Sequence, residues 1–289
     1  MTVWELDFYR RPLQDAAGDP LWELLICESV GTFQFVSCCA QSQASASWLL
    51  TQLQAQLQVW TESGHALPDH LHVFRPQTFH LLETAGQQLG IAIEPTRRTP
   101  RLKRWLIERS QQYATLADSL GASYTGQGYQ PLALDKLPPV PLPEKLWGDQ
   151  WRFASLPAVD LIDAVSDRMI PILSVPEALL PLKLGLASTV PIPGVVIDGG
   201  RQAMRLANWL QQSQPVSLSY IPGAPDGLIL ESGLADRWIL TTFEDAEVAA
   251  AGQVYEQRKQ LSKGLHFLLV QPDDSGMTYS GFWLLKPED

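Results

Sequence analysis

Three short stretches near the start of the chain alternate apolar and polar residues with a period of two, and this pattern restricts the fold more than any other. Trp4, Leu6 and Phe8 alternate with Glu5 and Asp7; Trp22, Leu24 and Ile26 alternate with Glu23 and Cys27; Phe33 and Phe35 flank Gln34. Successive strand side chains point to opposite faces, so each stretch reads as a strand. Asp15, Gly18, Pro20 and Gly31 supply turn signals between them, and the three strands are expected to form an antiparallel meander.

The period then changes. From Ser45 to Trp60, Leu49, Leu53, Leu57 and Trp60 make one apolar stripe with glutamines opposite, which predicts an amphipathic helix. His70–Phe74 reads as a short strand. Thr78 stands as N-cap of a helix carrying Leu81, Leu82, Ala85 and Leu89 and stopped by Gly90. Ile91–Glu94 is another short strand, and Thr99 and Pro100 stand at N-cap and N1 of a helix through Tyr113. The order βββαβαβα resembles the RNase H-like fold, a fold-level analogy that does not itself assign a function.

The analogy raises a metal-dependent nuclease, which needs carboxylates converging from the first strand, the first helix and the fourth strand. Asp7 offers the first. The helix Ser45–Trp60 has no carboxylate, and His70–Phe74 runs into Arg75 instead of an acid. No Gly-x-Ser-x-Gly elbow and no Cys-x-x-Cys pair occurs. His70 and His72 share a strand face, but two ligands without a nearby third do not make a zinc site. The expectation is a protein that is not an enzyme, with no catalytic residues, metal or cofactor.

The sequence has 289 residues, enough for two cores, with 45% hydrophobic and 18% charged residues. From Asp118 to Gln150 it is rich in Gly, Ser, Tyr and Pro, centred on Pro138-Pro139-Val-Pro141-Leu-Pro143, a semi-rigid connection. The expected organisation is α/β throughout: an N-terminal mixed-sheet domain over 1–117, a Pro/Gly-rich linker over 118–146, and a C-terminal α/β domain over 147–289. In the latter, Trp151–Leu156 reads as a strand. Arg168–Gly194 is apolar, with five prolines breaking regular structure, and Arg201–Gln212 is a helix turning Ala203, Leu206, Ala207 and Leu210 inward. Val216–Tyr220, Gly227–Glu231 and Trp238–Phe243 are strands. Thr242 is the expected cap of a helix over Glu244–Lys263, and Leu265–Gln271 and Thr278–Leu285 form a closing hairpin.

Three unpaired cysteines, Cys27, Cys38 and Cys39, fit a reducing compartment. The start of the chain lacks the regions of a signal peptide. The apolar, uncharged run Leu184–Ile197 is too short to span a bilayer and is broken by Pro191 and Pro193. A cytoplasmic protein without stable membrane insertion is expected.

A net charge of −10 is the wrong sign for indiscriminate nucleic-acid binding, so any RNA must be held by a local basic patch. One candidate exists: Arg97, Arg98, Arg101, Lys103 and Arg104 crowd the start of a helix that continues to Arg109. Cations there oppose the macrodipole, so helix stability does not explain them. Free N–H groups at a helix start bind anions, and added arginines make a phosphate site. The competing reading is a basic face that pairs with acids elsewhere in this acidic chain.

Blocks along the whole chain carry a family resemblance. They are Trp4-Glu-Leu-Asp-Phe-Tyr9, Leu21-Trp-Glu-Leu-Leu-Ile-Cys27, Arg97-Arg-Thr99 with Trp105-Leu106 and Glu108-Arg109, Glu231-Ser-Gly233 with Asp236-Arg-Trp238, Gly264-Leu-His-Phe-Leu-Leu-Val-Gln271, and Gly281-Phe-Trp-Leu-Leu285. In that order they resemble the Tab/Atab family of RNA-binding translation activators of photosystem proteins, as a cyanobacterial-type member. The resemblance implies binding of single-stranded A/U-rich RNA at mRNA 5′ regions and support of photosystem I synthesis, with photosystem II as a second candidate. Translation or photosystem assembly factors are the protein partners it suggests. It also attaches RNA binding to Trp283, Leu284 and Leu285. The residues themselves say otherwise: a strand with large apolar groups on both faces is usually buried on both sides. The alternative function is a photosystem assembly factor that docks proteins through Arg168–Gly194.

Overall fold

The alternating segments pair as an antiparallel meander: β1 (Val3–Gln14), β2 (Pro20–Glu28) and β3 (Gln34–Ala40). This computed structural model describes residues 2–135, 137–166 and 168–287, with only the backbone at 84–87, 162 and 164–166. The chain divides into two units, one up to Asp135 and one after it.

In the first unit the meander is followed by α1 (Ala46–Glu62), β4 (His70–Val73), α2 (Pro76–Leu89), β5 (Ala92–Pro95), α3 (Pro100–Ser110), α4 (Tyr113–Leu120) and β6 (Ser123–Tyr124). β4 runs parallel to β1 and β5 parallel to β4, giving the order β3-β2-β1-β4-β5, with β6 against the far end of β1. This is the RNase H-like order and direction. The α1 stripe Leu49, Leu53 and Leu57 covers one face of the sheet, against Trp4, Leu6 and Phe8. Ser45 caps α1, its hydroxyl accepting from the Trp48 N–H at 3.3 Å.

Two expectations fail here for a physical reason. α2 starts at Pro76, and Thr78 lies inside it. Its buried hydroxyl donates to the Phe8 carbonyl at 2.8 Å and accepts from the Phe8 N–H at 3.2 Å, so tertiary contact claims the side chain that propensity assigns to a cap. The Ala85 side chain lies outside the described residues. The helix expected through Tyr113 is two helices, broken after Ser110.

The second unit contains β7 (Val140–Pro141), β8 (Gln150–Pro157), α5 (Ala158–Ser166), β9 (Ile172–Ser174), β10 (Pro191–Asp198), α6 (Ala203–Ser213), β11 (Pro215–Ile221), β12 (Asp226–Ser232), β13 (Asp236–Phe243), α7 (Ala246–Leu261), β14 (His266–Gln271) and β15 (Gly281–Leu285). One sheet has the order β8-β10-β14-β15-β9 and the other β11-β12-β13-β7. α6 buries Ala203, Leu206, Ala207 and Leu210, the face its spacing predicts. The segment 118–146 gives β6 to the sheet of the first unit and β7 to a sheet of the second.

The prolines of Arg168–Gly194 do not exclude strands. β9 pairs with β15, and β10 is an inner strand of its sheet. Pro191 and Pro193 face β8 alone, because pairing with β14 begins only at Gly194, so no ladder position needs their missing N–H. α7 is capped by Asp245, not Thr242: the carboxylate accepts from the N–H groups of Glu247 at 2.8 Å and Val248 at 3.1 Å. Among the described residues no helix is long and apolar enough to cross a membrane.

Candidate nucleic-acid interface

The basic segment is built on the face of the first sheet opposite α1. There α3 lays Leu102 and Leu106 against Leu25, Cys27 and Phe74. Strand alternation turns Glu5 to the same side, where it is buried under the first turn of the helix. Its Oε2 accepts from the Leu102 N–H at 2.7 Å. Burial raises the Glu5 pKa, while the hydrogen bonds from Leu102 and Arg101 and the nearby charges of Arg101 and Lys103 act to lower it. Thr99 makes no side-chain cap. The helix start therefore already holds an anion, a carboxylate of the protein itself.

This corrects the reason for expecting a phosphate there. The first N–H groups of α3 are not open to a ligand, and part of the basic run answers an internal charge. Arg101 donates to the Gly31 carbonyl, and the Lys103 ammonium lies 5.4 Å from the centre of the Phe74 ring. Arg97, Arg101 and Lys103 are half-buried, whereas Arg98 and Arg104 are exposed. Arg98 and Arg104 are the members of the run that face outward from this end of α3.

Beside it lies an ionic layer that sequence reading missed. Arg109 Nε donates to Glu23 Oε1 at 2.7 Å, and the Tyr113 hydroxyl donates to Glu23 Oε2 at 2.6 Å. Arg11 bridges Glu23 at 3.2 Å and Asp7 at 2.9 Å; Arg75 stands 3.0 Å from Asp7. Burial works to lower the Arg11 pKa, but Asp7, the neighbouring tyrosines and Glu23 outweigh it and hold the guanidinium charged. Burial likewise pushes the Tyr113 phenol up, and it remains a donor. Arg75 also donates to the carbonyls of Ala133 and of Pro131, the latter at 2.6 Å, and lies 4.2 Å from the Tyr9 ring centre. Asp7, the carboxylate a nuclease would use, is thus held between two guanidinium groups. The signal in the sequence was an excess of charged residues on strands whose other face is core.

His70 Nδ1 and His72 Nε2 both face the Glu94 carboxylate, at 2.7 and 3.4 Å. Cys38 and Cys39 turn to opposite sides of β3, toward Glu23 and the core respectively. Burial raises the thiols of Cys27 and Cys38 to about 12.

Trp283, Leu284 and Leu285 lie in β15 between β14 and β9, each no more than 3% exposed. Trp283 and Leu285 pack with Val195, Leu206 and Leu268, and Phe282 and Leu284 with Leu161, Val196 and Phe267. Gly281 makes room for the indole: a Cβ there would meet Trp283 Cη2 at 2.3 Å. The tripeptide and the basic segment belong to different units.

Residues 3–109 match the family model described as RNA-binding protein Tab2/Atab2 N terminal, and residues 129–286 that of the RNA-binding protein Tab2/Atab2, C-terminal domain. The chain is 31% identical over 287 residues to the protein TAB2 homolog, chloroplastic, of Zea mays, covering 98% of this chain and 70% of the relative. It is 30% identical over 289 residues to the protein of the same description from Arabidopsis thaliana, covering 98% and 74%. A chain in a cryo-EM structure of the simian T-cell lymphotropic virus intasome with PP2A regulatory subunit B56 gamma aligns at 13% identity over 54% of this chain and 62% of its own length. The TM-score is 0.28.

Proposed function

The chain belongs to the Tab2/Atab2 family of RNA-binding proteins, and on that premise we propose that it binds single-stranded, A/U-rich 5′ regions of mRNA in the cytoplasm and activates translation of photosystem I subunits. The observation that carries this reading is the pair of exposed arginines, Arg98 and Arg104, within the basic run at the start of α3, in a chain whose net charge is −10. Phosphates meet Arg98 and Arg104 first, with Arg97, Arg101 and Lys103 behind them. The acidic remainder repels RNA, so binding depends on this patch and falls with salt as counterions are released. Action by binding rather than catalysis fits Asp7, whose charge Arg75 and Arg11 neutralise.

The test is retention of an A/U-rich single-stranded RNA across a salt series. Replacing Arg97, Arg98, Arg101 and Arg104 with Ala should flatten the slope of log affinity against log salt by up to about four contacts' worth. An unchanged slope would place the phosphates elsewhere.

A second reading has its own observation. Met169 is 99% and Leu182 86% exposed in the Pro-rich stretch, apolar side chains that a protein partner would cover. The reading as an assembly factor wins if wild-type protein retains no RNA at low salt.

A further inference from the structure

The second unit holds an open pocket of about 430 Å³ between its two sheets. That is a size typical of sites for small organic groups. Val195, Ile197, Leu206 and Leu228 form its floor, and Trp147, Gln150, Trp151, Thr241 and Thr242 stand around its mouth. None of its lining residues carries a charge.

The mouth is prepared rather than collapsed. Trp147 is 54% exposed, yet its indole N–H donates to the Leu142 carbonyl at 2.8 Å, which fixes the ring and leaves apolar surface bare. The rim is tied to β10: Asp149 N–H donates to the Asp198 carbonyl at 2.7 Å. Gly148 passes so close that a Cβ would lie 2.6 Å from Ile197 Cγ2 and 3.0 Å from the Asp198 oxygen. On the opposite side β13 bulges. Leu228 pairs with Thr241 and Ile229 with Ile239, so Leu240 is the extra residue, and it lines the pocket. β7 pairs with β13 only at Trp238 and Ile239. Beyond them this edge of β13 has no strand neighbour among the described residues and presents peptide groups beside the pocket.

A fixed indole, an apolar floor and a rim of hydroxyl, amide and peptide groups suit a flat, uncharged ring with a hydrogen-bonding edge. An anion finds no counter-charge, and Asp149 next to the rim opposes one. We propose that this pocket receives one unpaired nucleobase of a bound single-stranded RNA, stacked on Trp147 with its edge toward Thr241, Thr242 and the open edge of β13. The inference rests on the RNA-binding reading above; the phosphates stay outside the pocket.

The experiment titrates the full chain with an A/U single-stranded RNA, with an oligomer of the same length lacking bases, and with free adenosine and uridine. Trp147→Ala should weaken the intact RNA about tenfold, the loss of one stacked base, and leave both the salt slope and the binding of the abasic oligomer unchanged. Thr242→Trp, which fills the mouth from its exposed side, should give the same loss and serves as the second variant if Trp147→Ala melts early. Equal affinity of wild type and both variants for intact RNA overturns the pocket while RNA binding stands. Free nucleosides binding more tightly than the oligomer would reassign it to a soluble ligand and overturn the proposal. If the wild type retains no RNA at low salt, the RNA-binding reading fails and the proposal with it.

Discussion

β1 in the first unit and β15 in the second are both inner strands buried on two sides, and they reach that state by opposite chemistry. β1 carries Trp4, Leu6 and Phe8 into one core and Glu5, Asp7 and Arg11 into the opposite layer, every one of them buried. β15 carries Phe282, Trp283, Leu284 and Leu285 into two apolar clusters. The polar face of β1 survives burial because each charge has a partner: Glu5 takes an N–H of α3, and Asp7 and Glu23 take arginines. The difference teaches that alternation reports the chemistry of a face and not its exposure. A polar face can be an interior one when the opposing layer brings the complementary charges.

The comparison breaks most readily at Trp283. Trp283→Ala removes a fully buried indole and should cost roughly 3–5 kcal/mol, lowering the melting temperature of the second unit and weakening RNA binding through that loss. Unaltered melting with at least tenfold weaker binding would sink the structural account of this residue. Arg75→Ala is the counterpart in the first unit. It leaves Asp7 buried with Arg11 as its one remaining guanidinium and should cost about 3 kcal/mol, read from urea unfolding. A cost under ~1 kcal/mol would mean that water reaches Asp7 and the layer is not truly internal. Measuring Asp7→Asn and Arg75→Met singly and together sharpens this, with a coupling of roughly 0.5–3 kcal/mol expected.

A smaller effect tests the one ionisable ring at the edge of the apolar side. His266, opposite Leu285 in the ladder, is fully buried. Its Nε2 accepts from the Leu218 N–H at 2.8 Å, with Nδ1 2.8 Å from the Gly264 carbonyl. Burial, and then the charge of Lys259, lowers its pKa from 6.5 to about 3. Between those values the unfolded chain binds a proton that the folded chain refuses, so stability rises with pH and is lost as pH falls below the unfolded value. At pH 5 the loss should be roughly 2 kcal/mol. Urea midpoints at pH 7 and pH 5 measure it, and His266→Gln should remove most of the difference. An equal drop in that variant would assign the acid sensitivity to the carboxylates of the first unit.

The elements were largely legible where periodicity and capping act within a few residues. The stripe Leu49, Leu53 and Leu57, the inward face of α6 and the two-sided hydrophobicity of Phe282–Leu285 all appear in the structure as the spacing implies. What was illegible depended on a partner far along the chain. Thr78 looks like a cap until Phe8 is set beside it, and Asp245 rather than Thr242 takes the end of α7. The basic run was visible, but Glu5 beneath it was not, because a residue ninety-seven positions away supplies the cap. α5 went unseen, and the prolines before Gly194 hid β9 and β10, since no local rule tells which edge of a strand lacks a neighbour.

The position of β15 between β14 and β9 also bears on how the protein is made. A ribosome releases β9 and β14 before the strand that must lie between them, so Ile172–Ser174 has to wait for Gly281–Leu285. Until then the apolar faces of β14 and the pocket-side core lack one wall, and the edge that β15 will occupy is open to other chains. The first unit carries no such debt to later sequence: its five-strand order is complete once Pro95 has emerged. The two halves should therefore differ in their need for a chaperone during synthesis, the later one depending on protection until its last inner strand arrives.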